Sequence, residues 1–241
     1  WRDRLETLVI QREARQRDEE FDGNAAIQPP LTPRFPVTTD PIDPRSTHAT
    51  AKQIDLSEHF NAAFTQHWHG RSAEPDSLNL KDLPRGLQSF DDTLFDVRGV
   101  LQLGGVYTHR SLLDYDNRVR PVKVDQSCHK LHFLHALGWG LGIPVGQEVG
   151  RFEINYSDGE TVSAPLAYGE QTLDWVARAD DPEITDPNTS IAWQGGSKEK
   201  PTRLFHTVWK NPRPEAEIDH IVFANQERVG PAPFLLAVTA E

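Results

Sequence analysis

The stretch RFEINYSDGETVSAPL, residues 151–166, decides the fold class. Phe152, Ile154 and Tyr156 alternate with Arg151, Glu153 and Asn155, the period of two that puts one apolar face on a strand. Ser157-Asp158-Gly159-Glu160 then turns the chain into a second alternation of Val162, Ala164 and Leu166. Two alternating runs joined by a turn containing Asp-Gly predict a hairpin with one buried face. Outward from it, similar short runs occur at 95–103, 128–136, 203–209, 218–224 and 234–240, separated by Gly, Pro, Asn and Asp. Many short strands without alternating helices predict an all-β antiparallel sandwich or jelly roll over residues 54–241, not a parallel nucleotide-binding sheet.

The beginning of the chain reads differently. Residues 1–21 lack Gly and Pro, are rich in helix formers, and space Glu13 and Arg17 for an i,i+4 pair, so a helix is expected. Its apolar residues Leu5, Leu8 and Val9 form only a short stripe. Residues 22–53 carry Pro29, Pro30, Pro33, Pro36, Pro41 and Pro44 among Thr, Asp and Ser, the composition of an extended linker or strap.

Composition removes several function classes. A net charge of -11 and a pI near 5.4 argue against a nucleic-acid binder, whose affinity comes from clustered Lys and Arg. The single cysteine, Cys128, excludes an internal disulfide and any multi-cysteine metal site. No run approaches the roughly 18 apolar residues of a membrane span. The chain starts at Trp1 and has no methionine, from which we expect a segment upstream, a signal or an anchor.

Three enzyme motifs are missing: there is no P-loop, no G-x-S-x-G elbow and no H-E-x-x-H. Gly138-Trp139-Gly140-Leu141-Gly142 falls short of a dinucleotide turn, because Ile143 stands where a third glycine belongs and Pro144 replaces the helix. It reads as a loop with unusual backbone angles. His67 and His69 flank Trp68 and on a strand lie about 7 Å apart on one face, but two ligands do not make a metal site. His129 and His135 fall about 20 Å apart on one strand face with His132 on the other, so they cannot share an ion and are expected to hydrogen-bond within the sandwich. Cys128 beside His129 faces the opposite way along a strand and reads as core. Asp91-Asp92 and Asp180-Asp181 read as turn caps, not as acid-base couples. No cofactor, no metal and no catalytic residue is therefore assigned.

The six tryptophans point to ligand stacking, since an indole face suits a sugar ring. Trp139 in the glycine loop, Trp175 beside Asp174, and Trp193 before Gln194-Gly195-Gly196 all fall at expected loops or strand ends. With Tyr168 and Asp174 they make the candidate ligand-binding set. Each of the three tryptophans reads equally well as a lid over the end of the core. Trp209 alternates within a strand and reads as core.

The stretches LPRGLQSF (83–90), FDVRGVLQLGG (95–105), LHFLHALGWG (131–140), VGRFEINYSDGE (149–160), RLFHTVWKNPRPEAEI (203–218) and APFLLAVTAE (232–241) resemble a bacterial accessory domain related to galactose-binding-like carbohydrate-binding modules. The resemblance spans 54–241 and implies a galactose-binding-like sandwich with an accessory, glycan-related role in the cell envelope, periplasmic or extracellular. Ser127–Lys130 and the charged segment 107–120 depart from that pattern. Two function classes follow. One is a non-catalytic module contacting a glycan or other envelope ligand. The other is a structural subunit that residues 1–53 strap onto a larger, membrane-bound complex. A metal-dependent hydrolase built on His67 and His69 is a distant third.

Overall fold

The computed structural model describes residues 40–69, 78–111, 113, 115–226 and 230–241. The helix expected at 1–21 and the strap as far as residue 39 lie outside the described residues.

The described chain is all-β apart from one turn of helix, α1 (Val106–Arg110). Its strands are β1 (Gly86–Phe90), β2 (Thr93–Val97), β3 (Leu101–Gln102), β4 (Val122–Gln126), β5 (Lys130–Gly138), β6 (Glu148–Tyr156), β7 (Thr161–Ala167), β8 (Thr189–Gly196), β9 (Pro201–Lys210), β10 (Ile218–Asn225) and β11 (Ala232–Ala240). A five-stranded sheet runs β3-β11-β5-β9-β8, a four-stranded sheet runs β4-β10-β6-β7, and β1-β2 form a separate hairpin. The ladders within them are antiparallel.

The hairpin expected at 151–166 is β6 and β7, with Phe152 opposite Ala164 and Ile154 opposite Val162. Gly159 closes its turn at φ +90, where a side chain would be strained. Pro165 sits in β7, an edge strand, the place in a sheet that tolerates a missing N–H. The two sheets meet through aromatic faces: Phe133 of β5 stacks on Phe152 of β6 at 3.9 Å, and Phe152 stacks in turn on its neighbour within the four-stranded sheet, Phe223 of β10, at 4.6 Å. Strand β5 is buried along nearly its whole length because its second face is also covered, by the chain between Ile54 and Leu103 and by the β1-β2 hairpin. That double burial explains why apolar residues stand on both of its faces instead of alternating.

Three strands were not apparent in the sequence. β1 and β4 are short and polar, and β8 is an exposed edge strand with a bulge between Ile191 and Trp193. Trp193 is therefore in a strand, opposite Leu204, and not in a loop. The segment before Ile54 joins the sheet as well. Gln53 pairs with Thr239, Lys52 accepts the N–H of Ala240, and Arg45 pairs with buried Asp96 at 3.1 Å.

Candidate functional site: an aromatic knot and an inter-sheet cleft

Four of the five candidate residues come together near one end of β5. Trp175 is 2% exposed, its ring against Trp68 at 5.2 Å and Phe234 at 5.9 Å. His69 lies within 5.0 Å of both Trp68 and Trp175, and Trp139 covers it at 4.4 Å. Two ring N–H groups of this knot, those of Trp68 and His69, are engaged by one buried amide. The Gln102 oxygen accepts from Trp68 Nε1 at 3.1 Å and from His69 Nε2 at 2.8 Å, while its nitrogen donates to the carbonyls of Leu103, Ala232 and Pro233. Burial holds His69 neutral, its pKa lowered to about 3.

Asp174 is the clamp for the glycine loop. It accepts the N–H of Gly140 at 2.7 Å and of Val176 at 2.9 Å, with Arg178 at 3.6 Å. Burial raises its pKa, opposed by those two N–H groups and the guanidinium. Trp139 occupies positive φ (58°) beside it, and a Cβ on Gly140 would press on the Tyr168 ring and on Asp174. Tyr168 is buried, which raises its pKa. Asp174 thus spends its carboxylate inside the protein, and the rings of Trp175 and Tyr168 are buried there. Trp139 is half-buried, and Trp193 stands apart on β8, its ring over Gly195.

His67 Nδ1 bonds the carbonyl of Leu78 at 2.9 Å, and among the described residues no three His, Cys, Asp or Glu side chains converge as a metal site. Cys128 is buried, which pushes its thiol up to about 11.

A second feature was not foreseen. Between the two sheets opens a cleft of about 200 Å³, with the Phe133-Phe152 stack at its floor and Trp209, Thr207, Gln171, Asp186 and Asn188 on its walls. Trp209 follows Thr207 on the inward face of β9, opposite Leu131, but lies near the strand's end, where the core stops, and is only half-buried. Its indole N–H has no hydrogen-bond partner among the described residues. Asp186 is the opposite case. Its four acceptor positions are filled by the backbone N–H of Asn188 (2.9 Å), the Asn188 amide (3.1 Å), the Gln171 amide (3.0 Å) and the Thr189 hydroxyl (3.5 Å). Burial works to raise its pKa, but these donors outweigh it and the net shift is downward. Asp186 consequently fixes the two amides. The Asn188 oxygen accepts no hydrogen bond from the described residues.

The wall continues into the core as a hydrogen-bond chain. His135 Nε2 meets Thr207 Oγ1 at 2.8 Å, Thr207 meets Thr189 at 2.9 Å, and Thr189 reaches Asp186. With a carboxylate at one end, the self-consistent direction has His135 donating from Nε2, which leaves its buried Nδ1 without a partner. Strand alternation had pointed to Trp209 as core. Asp186-Pro187-Asn188 carries a turn signature that places no residue at a site without the sheet register.

Comparison with protein-family models, with curated proteins and with solved structures finds no match to this chain.

Proposed function

We propose that this chain is a non-catalytic binding module of the galactose-binding-like, jelly-roll kind that seats a glycan in the inter-sheet cleft. The observation that carries the reading is the pairing of a half-exposed indole, its N–H unused, with two amides whose orientation Asp186 has already set. Stacking on an indole plus donor and acceptor groups held in place is the chemistry that recognises a hydroxyl-rich ring. Preset amides spare the ligand the cost of ordering them. A cleft of about 200 Å³ has room for one sugar unit, with the rest of the chain extending into solvent.

Binding is favoured over hydrolysis by the acid count. Glycoside hydrolysis uses two carboxyl groups flanking the bond, and Asp186 is the single acid on this lining, its lone pairs all engaged. No helix among the described residues is long and apolar enough to cross a membrane, and an envelope location, periplasmic or extracellular, belongs to this proposal through the family resemblance.

The test is calorimetric titration of the full chain with neutral and acidic oligosaccharides chosen from a glycan array, repeated with Trp209→Ala and Asn188→Ala. The reading expects saturable binding that each substitution weakens at least about tenfold, about 1.4 kcal/mol. An array with no hits, or hits indifferent to both substitutions, overturns it.

A further inference from the structure

A row of four titratable groups lies on the other face of the five-stranded sheet, away from the cleft. His132 of β5 and His206 of β9 are diagonal neighbours, since His132 pairs with Val208 and Leu134 with His206. Their rings meet with His132 Nδ1 2.9 Å from His206 Nε2. The outer nitrogens each face a carboxylate: His132 Nε2 lies 3.1 Å from Glu241 Oε2, and His206 Nδ1 lies 3.4 Å from Asp91 Oδ2. Both rings are almost wholly buried, at 4% and 3% exposure.

Counting protons across this row fixes its behaviour. There are three gaps, and each needs one proton to become a hydrogen bond. Ionised carboxylates only accept, so the protons must come from the rings. Two neutral imidazoles supply two, and one shared additional proton fills the third gap. A fourth has no place, because it sets N–H against N–H at 2.9 Å. In the structure the longest gap is the one to Asp91, which also accepts the hydroxyl of Ser190.

The element held by this row is the β1-β2 turn. Asp91 and Asp92 both take positive φ (47° and 61°), the geometry of a tight hairpin turn, and both are exposed. Among the described residues the hairpin's two strands pair with no strand but each other, so side chains fasten it to the sheet. They are Asp91 on Ser190 and His206, Thr93 on His132 at 3.2 Å, the Phe95 ring edge-on to His206 at 5.3 Å, and contacts from Gln53 and Thr239 to the Leu94 carbonyl.

We propose that His132 and His206 form a one-proton latch: with at most one shared proton they hold the β1-β2 turn on the sheet, and a second proton drives the rings apart and releases it. The groups facing the pair support that direction. Asp91 from the turn and Glu241 after β11 favour a first proton, while Lys130 of β5, itself paired with Glu241, opposes charge on His132. His135 lies on the opposite face of β5 and is neutral, its pKa lowered by burial to about 3. Burial pushes His132 and His206 below the ordinary histidine range, and His132 adds repulsion on His206, so the latch opens in acid.

The experiment is an NMR titration of the full chain from pH 7.5 to 4.5. It follows the imidazole resonances of His132 and His206 together with hydrogen exchange at Asp92 and Thr93, corrected for intrinsic pH dependence. The pair is expected to take up one proton with the turn protected. Exchange at the turn then quickens at least about tenfold as the second enters, the factor that one unit of pKa coupling represents. Asp91→Asn, whose side chain tolerates the positive φ, should loosen the turn already at pH 7.5 and flatten its pH dependence. The proposal is overturned if the two rings titrate independently while turn exchange stays constant. It is equally overturned if metal analysis finds a bound ion whose removal by chelator moves the same resonances.

Discussion

The aromatic knot and the inter-sheet cleft make opposite use of tryptophan. In the knot, Trp68, Trp175 and Phe234 lie edge-on to His69, Trp175 is buried, and Gln102 answers the ring N–H groups of Trp68 and His69. The cleft has one tryptophan, half-buried, with its N–H unanswered and two amides held ready by a carboxylate that is itself saturated. Indole density therefore marks where the protein is held together. In the proposed reading, an open indole face with spare hydrogen-bonding capacity marks the place for a ligand.

The largest expected effect tests the knot. Trp175→Ala should lower stability by about 3–5 kcal/mol, the range for emptying a large buried aromatic site, as measured by denaturant unfolding. A loss under about 1 kcal/mol would mean the ring is not core. Gln102→Ala removes the shared acceptor and strands two buried donors, for an expected cost of about 2 kcal/mol in the same measurement. Next comes pH. His135 has its folded pKa lowered to about 3 against an unfolded value near 6.5. The unfolded state therefore binds the proton first, and stability is fully present above about pH 6.5 and lost as pH falls towards 3. The slope should be about 1.4 kcal/mol per pH unit for this group, and unfolding of His135→Gln across pH 4–7 should show a slope shallower by that amount. Trp209→Ala should cost the least stability of these, under about 1.5 kcal/mol given its half-exposed position, while removing binding. A substitution that lost stability and binding together would collapse the distinction between the two regions.

The sequence carried the strands whose faces are simple. Residues 151–166 have one wet and one dry face, and their alternation led directly to β6 and β7. β5 was recognisable as apolar, but its double burial was not, because the covering chain comes from residues 54–103. β8 was hidden by exposure on both faces and by the bulge at 191–193. The cleft was illegible for a related reason. Trp209, Gln171 and the Asp186-Pro187-Asn188 turn are separated in sequence and meet through the order β5-β9-β8 opposite β6-β7. Of the candidate set Trp139, Trp175, Trp193, Tyr168 and Asp174, all but Trp193 lie near one another, but adjacency alone does not separate a lid from a site. That separation required knowing that Gln102, 33 residues beyond His69, takes the ring N–H groups of Trp68 and His69, and that Asp174 is spent on the N–H groups of Gly140 and Val176.

The central claim is tested most directly by observing the indoles of both regions at once. In a spectrum of the 15N-labelled full chain, titrated with an oligosaccharide that binds on a glycan array, the Trp209 indole N–H should shift with ligand concentration while those of Trp139 and Trp175 stay in place. A shift confined to Trp139 or Trp175, with Trp209 unmoved, would contradict the account and return the site to the glycine loop.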